Sequence, residues 1–453
     1  MNLMTEYECL QGLEVTEEEI LQLTSLREVF IDSNIPRRQA IEKVGADHYR
    51  CVRCDCQDQI HIREQPPLVY CLNCIQMGRM SSASTLYHFA AQPPTSVQPI
   101  HCEWQGTLSE QQKNASQQLV QSLTDTSKPD LIYAVTGSGK TEIIFNVIEV
   151  VLSQGGRVCL ASPRIDVCLE LLPRIRAAFT QVDCILLYGG RDEIFRYTPI
   201  VISTTHQLLR FREAFDLLIV DEVDSFPYVH SESLHYAVHK AVKENGKLIY
   251  LTATPDAQLK RDIATQKVNT TILSARYHRY PLPEPEFVWI GDWYQAIQQR
   301  NTSSVLWRRI IHFIQIDGAK LIFLPHIDLA EQLYEWITQV LPQYPIACVH
   351  SKDSKRKEKI HQLREETLEV LITTTILERG VTFTNCHVFV VGSEHRQFNA
   401  STLVQISGRV GRRPDYPMGT LIYGHYGKTL AMREARRDIQ RMNQRARSEG
   451  LLL

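Results

Sequence analysis

The chain has 453 residues, of which 43% are hydrophobic and 22% are charged, and this composition is that of a globular protein with about three domains. Its formal net charge of −2 excludes a strongly basic molecule, so any nucleic-acid site must come from local basic surface. No run of ~18 apolar residues is present and the acidic N-terminus lacks a signal-peptide core, so we expect a cytosolic protein without a transmembrane helix.

The first predicted element is a short helix near the N-terminus. The stretch Thr16–Glu19 matches the capping-box pattern, and the apolar Leu23 and Phe30 continue one face of the helix. We therefore predict a small helical segment over residues 1–48.

Four of the twelve cysteines form two C-x-x-C pairs, with 16 residues between the pairs. This spacing is typical of a zinc ribbon. In such a ribbon, two pairs of thiolates, one on each side of a hairpin, together hold one tetrahedral Zn²⁺. The predicted zinc ligands are Cys51, Cys54, Cys71 and Cys74. Cys56 and His61 lie close by and are left as alternative ligands. We predict a zinc-binding domain over residues 49–90 with a core separate from the rest, followed by a linker over 91–107.

From Leu108 onward, short apolar runs alternate with helical patterns, and a Pro-rich stretch, Tyr280–Pro285, divides the alternation in two. Such alternation indicates parallel sheets that are covered by helices. The strands predicted before the division are Leu131–Val135, Arg157–Ser162, Ile200–Ser203, Leu217–Val220 and Lys247–Leu251. Those after it are Lys320–Leu324, Ile346–His350, Val370–Thr374, His387–Val391 and Gly419–Tyr423. We predict an α/β protein with lobes over 108–280 and 281–453.

The stretch Ala134–Thr141, Ala-Val-Thr-Gly-Ser-Gly-Lys-Thr, follows the first of these strands. A strand that enters a Gly-rich loop and then a helix directs backbone N–H groups at phosphates. Lys140 is predicted to reach the outer phosphates, and Thr141 to hold Mg²⁺. The residues predicted to bind the nucleotide here are Thr136, Gly137, Ser138, Gly139, Lys140 and Thr141.

Acidic residues close another apolar strand, in the stretch Ile219–Asp224. Asp221 is predicted to hold Mg²⁺, and Glu222 to orient or deprotonate the attacking water. In the second lobe, Arg409 and Arg412 lie three positions apart, which places them on one face of a helix. From there they would stabilise the charge that develops on the γ-phosphate, and a solvated basic helix is the alternative.

Taken in order, these motifs resemble those of superfamily 2 helicases and translocases over about residues 108–430. Further similar segments are Leu108–Gln112, Ala161–Arg164, Ser203–Gln207, Thr252–Pro255, Leu321–Pro325 and Thr373–Gly380. The resemblance implies two tandem RecA-like lobes that bind ATP and Mg²⁺, with Gln112 reading the adenine. It further implies that Thr252 and Thr254 couple hydrolysis to lobe movement. The DNA contacts expected from it are Arg164, Thr205, Ser351 and Thr374.

A four-cysteine ribbon ahead of the P-loop, in a chain of this size, resembles the ComFA family of late-competence DNA-uptake ATPases. That resemblance implies a single-stranded-DNA-stimulated ATPase that pulls transforming DNA into the cytosol at the inner face of the membrane. It implies the ComEC channel, ComFC and DprA as partners, and it leaves self-association open. Two alternatives remain: a PriA-like restart helicase, whose cysteines lie inside the helicase core, and an ATP-switched adaptor.

Two basic groups have two interpretations each, as phosphate contacts or as solvated helix faces. One is the cluster Lys352, Lys355, Arg356 and Lys357. The other recurs every four residues near the C-terminus, as Arg433, Arg437, Arg441 and Arg445. For this second group an acidic partner and anionic lipid are further alternatives, and lipid is disfavoured because no broad apolar face with Trp or Phe accompanies the arginines.

Overall fold

The structure is a computed structural model of the chain, and it describes residues 7–24, 31–92, 98–190, 195–378 and 383–453. The chain divides into two compact units. The first comprises Met1–Tyr133 and Lys140–Thr271, and the second comprises Ala134–Gly139 and Ile272–Leu453. Each unit contains a largely parallel sheet with helices, so the predicted α/β class is confirmed. Among the helices of the described ranges, none is both long enough and apolar enough to cross a membrane.

The N-terminal module, residues 7–92, is built mainly from short strands. Its elements are β1 (Glu14–Val15), α1 (Glu17–Leu23), β2 (Arg37–Gln39), β3 (Ile41–Lys43), β4 (Tyr49–Cys51), β5 (Ile62–Gln65), β6 (Leu68–Cys71), β7 (Met80–Ser81) and β8 (Thr85–His88). Strand β8 lies between β1 and β2, β3 pairs with β4, and β6 lies between β5 and β7.

The predicted helical segment over residues 1–48 is therefore reduced to α1 within the described ranges. The predicted boundary between residues 48 and 49 falls inside the β3–β4 hairpin. These strands are too short to show a periodic pattern, and they form because partner strands satisfy their backbone groups; β8 finds its partners β1 and β2 far away along the chain. The capping box is present, since the Glu19 N–H donates to Thr16 Oγ1 at 3.3 Å and the Thr16 N–H donates to Glu19 Oε2 at 3.1 Å. Phe30 lies outside the described residues.

The rest of the first unit carries a seven-stranded sheet in the order β11-β12-β10-β13-β14-β9-β15. Its elements are α2 (Glu110–Gln121), β9 (Asp130–Ala134), α3 (Lys140–Ile143), α4 (Phe145–Ser153), β10 (Val158–Ser162), α5 (Ile165–Ala178), β11 (Cys184–Leu187), β12 (Ile200–Thr204), β13 (Phe215–Asp221), α6 (Glu232–Ala241), β14 (Val242–Thr252), α7 (Ala257–Ala264) and β15 (Asn269–Leu273). The pairings from β11 to β9 are parallel, so the P-loop, the acidic box and Thr252 follow strand ends at one edge of the sheet. The edge strands β11 and β15 were not predicted.

One apolar core extends from the N-terminal module into this sheet. Val15 and Met80 of the module belong to the same cluster of buried side chains as Val201, Leu218 and Leu248 of the sheet. The prediction that the zinc domain and the first lobe have separate cores is therefore wrong. The module contacts Arg210 and Arg212 and the helix α6 of the first lobe, and the two parts bury apolar surface in one shared cluster.

The second unit carries a six-stranded sheet in the order β16-β21-β20-β17-β19-β18, with every pairing parallel. Its elements are β16 (Glu286–Trp289), α8 (Trp293–Gln298), α9 (Val305–Ile314), β17 (Ala319–Phe323), α10 (Ile327–Val340), β18 (Ile346–Val349), α11 (Arg356–Arg364), β19 (Val370–Thr373), β20 (Cys386–Val391), α12 (Ala400–Ser407), β21 (Leu421–His425) and α13 (Leu430–Ser448). Leu321 and Phe323 enter one core and Ile322 and Leu324 another, as alternating residues of a strand do. Both faces of this sheet are therefore covered.

Candidate functional site

The predicted phosphate-binding loop connects β9 to α3, in the order that the sequence predicts. Gly137 and Gly139 have φ angles of +80° and +75°, which residues with a Cβ rarely adopt. The Ser138 N–H donates to the Val135 carbonyl at 3.2 Å and closes the turn. Thr141, in α3, is largely buried. The loop thus has a turn of the kind that exposes successive backbone N–H groups to an anion.

Lys140 lies beside the acidic box at the end of β13. Its Nζ is 3.7 Å from Asp221 Oδ1, so the predicted phosphate-binding cation and the predicted Mg²⁺ ligand lie together. Glu222 has a φ of +57°, which is an uncommon and strained value for a residue with a side chain. Its N–H donates to Asp221 Oδ1 at 2.8 Å, and Ser225 Oγ donates to Glu222 Oε2 at 3.3 Å. These bonds hold both carboxylates in place at the strand end.

Asp224, the last residue of the acidic box, joins it to Thr252, the last residue of β14, and to Thr254 just beyond it. Thr252 Oγ1 donates to Asp224 Oδ1 at 2.7 Å, and Thr254 Oγ1 donates to Asp224 Oδ2 at 2.6 Å. The Thr254 N–H also donates to Thr252 Oγ1 at 3.0 Å. A role was predicted for the two threonines but not for Asp224, although its place in the stretch Ile219–Asp224 was the available signal. One carboxylate thus links two of the helicase-like motifs.

Arg409 and Arg412 follow α12 instead of lying on it. The glycines at 408 and 411 end the helical pattern, and Gly411 has a φ of +66°. The prediction that the two arginines share a helix face is wrong for this reason. Arg409 is only 1% exposed, which also excludes a solvated basic helix for it, and its Nε donates to the Glu378 carbonyl at 3.1 Å. Arg412 Nε donates to the Gly408 carbonyl at 2.8 Å.

Gln112 lies in the first turn of α2 and is buried. Its Oε1 accepts a hydrogen bond from the Ser109 N–H at 2.8 Å, while the Gln112 N–H donates to Ser109 Oγ at 3.4 Å. This is a capping box, so the amide has a structural role at the start of the helix. The reading of adenine by Gln112 stays a prediction.

The predicted DNA contacts are distributed over both units. Arg164 is half-buried just before α5, and Thr205 is fully buried, with no hydrogen-bond partner for its hydroxyl in the described part of the chain. Ser351 is exposed and Thr374 is half-buried. Ser351 therefore presents its side chain to solvent, whereas Thr205 does not in this conformation. All four contacts stay predictions, and residues 379 and 380, which complete the motif Thr373–Gly380, lie outside the described ranges.

The C-terminal arginines project from α13, whose buried side includes Met432 and Ile439. All four members of the stripe are exposed. Arg441 pairs with Asp438 at 2.8 Å, and Arg445 Nε lies 2.7 Å from Glu449 Oε1. Part of the stripe's charge is therefore neutralised within the helix. In the lysine cluster the three lysines are exposed and the arginine is half-buried.

The four predicted cysteine ligands come together in the N-terminal module. Their sulfur atoms all lie within 4.8 Å of one another, and all four residues are buried. Cys51 Sγ is 3.8 Å from Cys74 Sγ, and Cys54 Sγ is 3.6 Å from Cys71 Sγ. Sulfurs around a tetrahedral Zn²⁺ with ~2.3 Å bonds are separated by ~3.8 Å, so the cluster fits a metal of that kind.

The first cysteine knuckle closes through Asp55. Asp55 has a φ of +60°, which aspartate tolerates better than most residues, and its N–H donates to the Cys51 carbonyl at 2.7 Å. Cys56 instead accepts, through its carbonyl, a bond from the Cys51 N–H at 2.9 Å. His61 is half-exposed and lies 3.3 Å from Asp58. Neither Cys56 nor His61 belongs to the cluster of sulfurs, so the structure favours the four-cysteine set.

A buried carboxylate, Glu19, joins the knuckle to the first lobe. Arg53, between the first two cysteines, is fully buried and its Nη2 pairs with Glu19 Oε2. Glu19 Oε1 in turn accepts from Arg210 Nε at 3.0 Å. Burial alone would raise the pKa of Glu19, but Arg53 and Arg210 outweigh it and lower that pKa. Arg210 ends the helical turn that begins at Thr205, so one carboxylate connects the metal knuckle to that turn.

A second buried carboxylate makes the same kind of connection. Glu14 in β1 contacts Arg38 of the module at 2.8 Å, and also Arg212 at 3.1 Å and Lys240 at 3.4 Å, both from the first lobe. Sequence reasoning found none of these pairs, because each partner is far away along the chain.

Comparisons with known proteins identify relatives for each part of the chain. The family described as "Competence protein ComFA N-terminal domain" matches residues 4–88. Those described as "Type III restriction enzyme, res subunit" and "Helicase conserved C-terminal domain" match residues 105–257 and 306–414.

Two similar proteins carry the name Competence protein ComFA. The one from Bacillus subtilis (strain 168) is 42% identical over 407 residues, which cover 89% of this chain and 87% of that protein. The one from Streptococcus pneumoniae (strain ATCC BAA-255 / R6) is 43% identical over 379 residues, or 83% of this chain and 86% of that protein. Among solved structures, S. cerevisiae Dbp5 bound to RNA and ADP BeF3 matches with a TM-score of 0.55 at 16% identity, covering 74% of this chain and 87% of that one. That likeness shows a shared fold.

Proposed function

The chain belongs to the ComFA family of competence proteins, and we propose that it is a single-stranded-DNA-stimulated ATPase that draws transforming DNA into the cytosol. Its helicase regions make it an ATP-hydrolysing enzyme of the helicase type. The observation that carries the proposal is the joining of a ComFA-type N-terminal module to these regions in one chain. The ComEC channel, ComFC and DprA as partners, and a place at the inner face of the membrane, belong to the same proposal by family resemblance.

In the proposed reaction, Lys140 neutralises charge on the outer phosphates while Thr141 and Asp221 hold Mg²⁺. The metal offsets phosphate charge when it is bound. Glu222 orients the attacking water and accepts its proton. The 3.7 Å distance between Lys140 Nζ and Asp221 Oδ1 supports this division of roles, because both groups must meet the same magnesium–triphosphate. Arg409 and Arg412 are the cations proposed for the charge of the transition state.

The link through Asp224 supports a motor over an ATP-switched adaptor. Thr252 and Thr254 both donate to this carboxylate, which lies two residues beyond the water-orienting Glu222. A change at the acidic box on hydrolysis therefore reaches the segment after β14 through two hydrogen bonds. An adaptor in which the ribbon binds a partner and hydrolysis only resets the bound state has no need of a connection that transmits the change to this segment.

The DNA is proposed to be held mainly by its phosphates, through Arg164, Thr205, Ser351 and Thr374. Phosphate contacts give binding that is independent of sequence and sensitive to salt, as a protein that imports any sequence requires. The lysine cluster that starts at Lys352 and the stripe on α13 are further exposed basic surface that such a strand can use.

The cysteine cluster is proposed to hold one structural Zn²⁺. Four buried thiolates at the observed sulfur–sulfur distances match a closed tetrahedral site, which leaves no open position for catalysis. The site therefore serves folding of the N-terminal module rather than chemistry on a substrate.

ATP turnover measured with single-stranded DNA, duplex DNA, RNA and no polymer tests the proposal. We expect single-stranded DNA to stimulate turnover most, and Glu222→Gln to retain ATP binding while losing hydrolysis. Glu244→Gln, at an exposed glutamate of the same unit, is the matched control and should behave as wild type. Turnover that is the same with and without DNA would overturn the proposal.

A translocation assay separates the proposal from a PriA-like helicase. Wild-type protein should displace streptavidin from the end of a biotinylated single strand in an ATP-dependent manner, and Glu222→Gln should not. Efficient separation of a blunt duplex without any such displacement would favour the helicase alternative instead.

A further inference from the structure

Arg276, directly beyond β15, is a buried cation with unused hydrogen-bond donors. Its side chain is 2% exposed. Nη1 donates to the Val410 carbonyl at 2.8 Å and also to the Gly411 carbonyl. Nε and Nη2 have no hydrogen-bond partner among the residues that the structure describes. Part of the guanidinium is therefore available to a ligand although solvent does not reach it.

Three other buried cations of the described ranges pair with carboxylates, which Arg276 does not. Lys240 pairs with Glu14, Arg53 with Glu19, and Lys247 Nζ lies 3.2 Å from Asp130 Oδ1. Arg157, which also donates to carbonyls, instead lies against the rings of Tyr197 and Phe215. The partners of Arg276 are neutral carbonyls, and it forms no ion pair with a described carboxylate. Its charged neighbour is Arg412: burial first, and then that like charge, lower the pKa of Arg276 to about 9. A cation in this setting, still charged at neutral pH, is strongly unfavourable without an anion.

One of the unused donors, Nε, lies next to the turn of the P-loop, which belongs to the same unit. A Cβ placed on Gly137 would lie 3.8 Å from Cγ, Cδ and Nε of Arg276. The Tyr277 N–H donates to the Gly137 carbonyl at 3.2 Å and ties the two segments together. The anion that this guanidinium needs is therefore expected where the P-loop turn holds its own ligand.

We propose that Arg276 is a phosphate-binding residue, whose Nε and Nη2 donate to the polyphosphate chain of the nucleotide. This assignment rests on the proposed ATPase function and adds a residue that none of the helicase-like motifs contains. The planar guanidinium suits the role, because it can donate to two carbonyls through one nitrogen and to phosphate oxygens through the others. Bound nucleotide supplies the negative charge that compensates it.

The test uses full-length Arg276→Gln, with Arg279→Gln as matched control. Arg279 lies in the same segment, is exposed, and donates to the carbonyls of Leu451 and Gly450, each at 3.1 Å. Affinities for ATP and adenosine are measured by calorimetry, and the thermal midpoint is measured with and without inorganic tripolyphosphate. We expect Arg276→Gln to weaken ATP about ten- to hundredfold, as loss of a charge-assisted contact does, with adenosine unchanged. The rise in midpoint on adding tripolyphosphate should disappear in this variant and persist in the control.

A purely structural role predicts a different pattern. If Arg276 only clamped the two carbonyls, Arg276→Gln would lower the midpoint without ligand and leave the ratio of ATP to adenosine affinity unchanged, which would overturn the proposal. If the glutamine variant fails to fold, the wild-type protein labelled with ¹⁵N-arginine decides the question. The Nε–H resonance of Arg276, assigned by its loss in Arg276→Lys, should shift when tripolyphosphate is added, and no shift would overturn the proposal. Wild-type protein that neither binds nor hydrolyses ATP would overturn the proposed function as well.

Discussion

Replacing Glu14 by glutamine should weaken the joint between the N-terminal module and the first lobe. Glu14 is buried, and its two oxygens contact Arg38 of the module together with Arg212 and Lys240 of the lobe, at 2.8 to 3.4 Å. Glutamine keeps the size of the side chain but removes the charge. Three cations then surround a neutral amide, and Lys240 is itself almost fully buried.

The magnitude follows from the pKa of the carboxyl group. Burial alone would raise the pKa of Glu14, but Lys240, Arg38 and Arg212 lower it from 4.5 to about 2. At ~1.4 kcal/mol for each pKa unit, this shift corresponds to about 3 kcal/mol of folding stability. Breaking a buried ion pair from one side costs ~3–5 kcal/mol in other proteins, which agrees. Glu18→Gln, at an exposed residue of α1, is the control and should change stability by less than ~0.5 kcal/mol.

Urea unfolding followed by circular dichroism measures the difference between wild type and Glu14→Gln. Because the folded-state pKa lies below the unfolded one, the stabilisation is complete above pH ~4.5 and is lost as the pH falls toward 2. The two proteins should therefore differ by about 3 kcal/mol at pH 7 and progressively less below pH ~4.5. Equal stabilities at pH 7, or a gap that stays constant on acidification, would refute this account of Glu14.

Asp224→Asn should lower kcat for DNA-stimulated hydrolysis about tenfold or more while changing ATP affinity little. The reason is that the carboxylate accepts two hydrogen bonds, and each hydrogen bond to a charged group contributes ~1.5–3 kcal/mol. Steady-state kinetics with saturating single-stranded DNA measures this, and an unchanged kcat would contradict the coupling role. Cys71→Ser should release zinc, measured by elemental analysis, since structural Zn²⁺ contributes ~10–16 kcal/mol of apparent binding energy. Because the module shares its core with the sheet of the first lobe, the variant should also lower the thermal midpoint of that lobe. Full zinc content, or an unaffected midpoint, would count against the assignment.

Features whose chemistry fixes both residue type and short spacing were predictable from the sequence. The four-cysteine cluster was predicted with its ligands, because each C-x-x-C pair brings two sulfurs together within one turn. The loop before Lys140 was predicted for the same reason, since its glycines occur where φ is positive. The error at Arg409 was avoidable: the glycines that flank it cost a helix ~1 kcal/mol each and mark its end.

The joint between module and lobe was not predictable, because its partners are distant in sequence. Glu19 and Arg210 are 191 residues apart, and Glu14 and Lys240 are 226 apart. A charged residue in a single sequence is expected at the surface, and nothing local marks Arg53 as buried. Strand β8 was not predictable for the same reason, because it forms by pairing with β1 and β2, which are distant in sequence.

The partners of a buried cation indicate what its charge does in the protein. Lys240 meets Glu14 across the boundary between the N-terminal module and the first lobe, and Arg53 meets Glu19 inside the module, so both charges are satisfied by the folded chain itself. Arg276 is equally buried but meets only carbonyls and a like charge. A buried charge without a partner of opposite charge destabilises the folded protein. We therefore expect an anion that binds beside the phosphate-binding loop to compensate the charge of Arg276. The pair of Lys240 with Glu14 thus helps to hold the module against the first lobe, whereas the unpaired charge of Arg276 indicates a bound nucleotide.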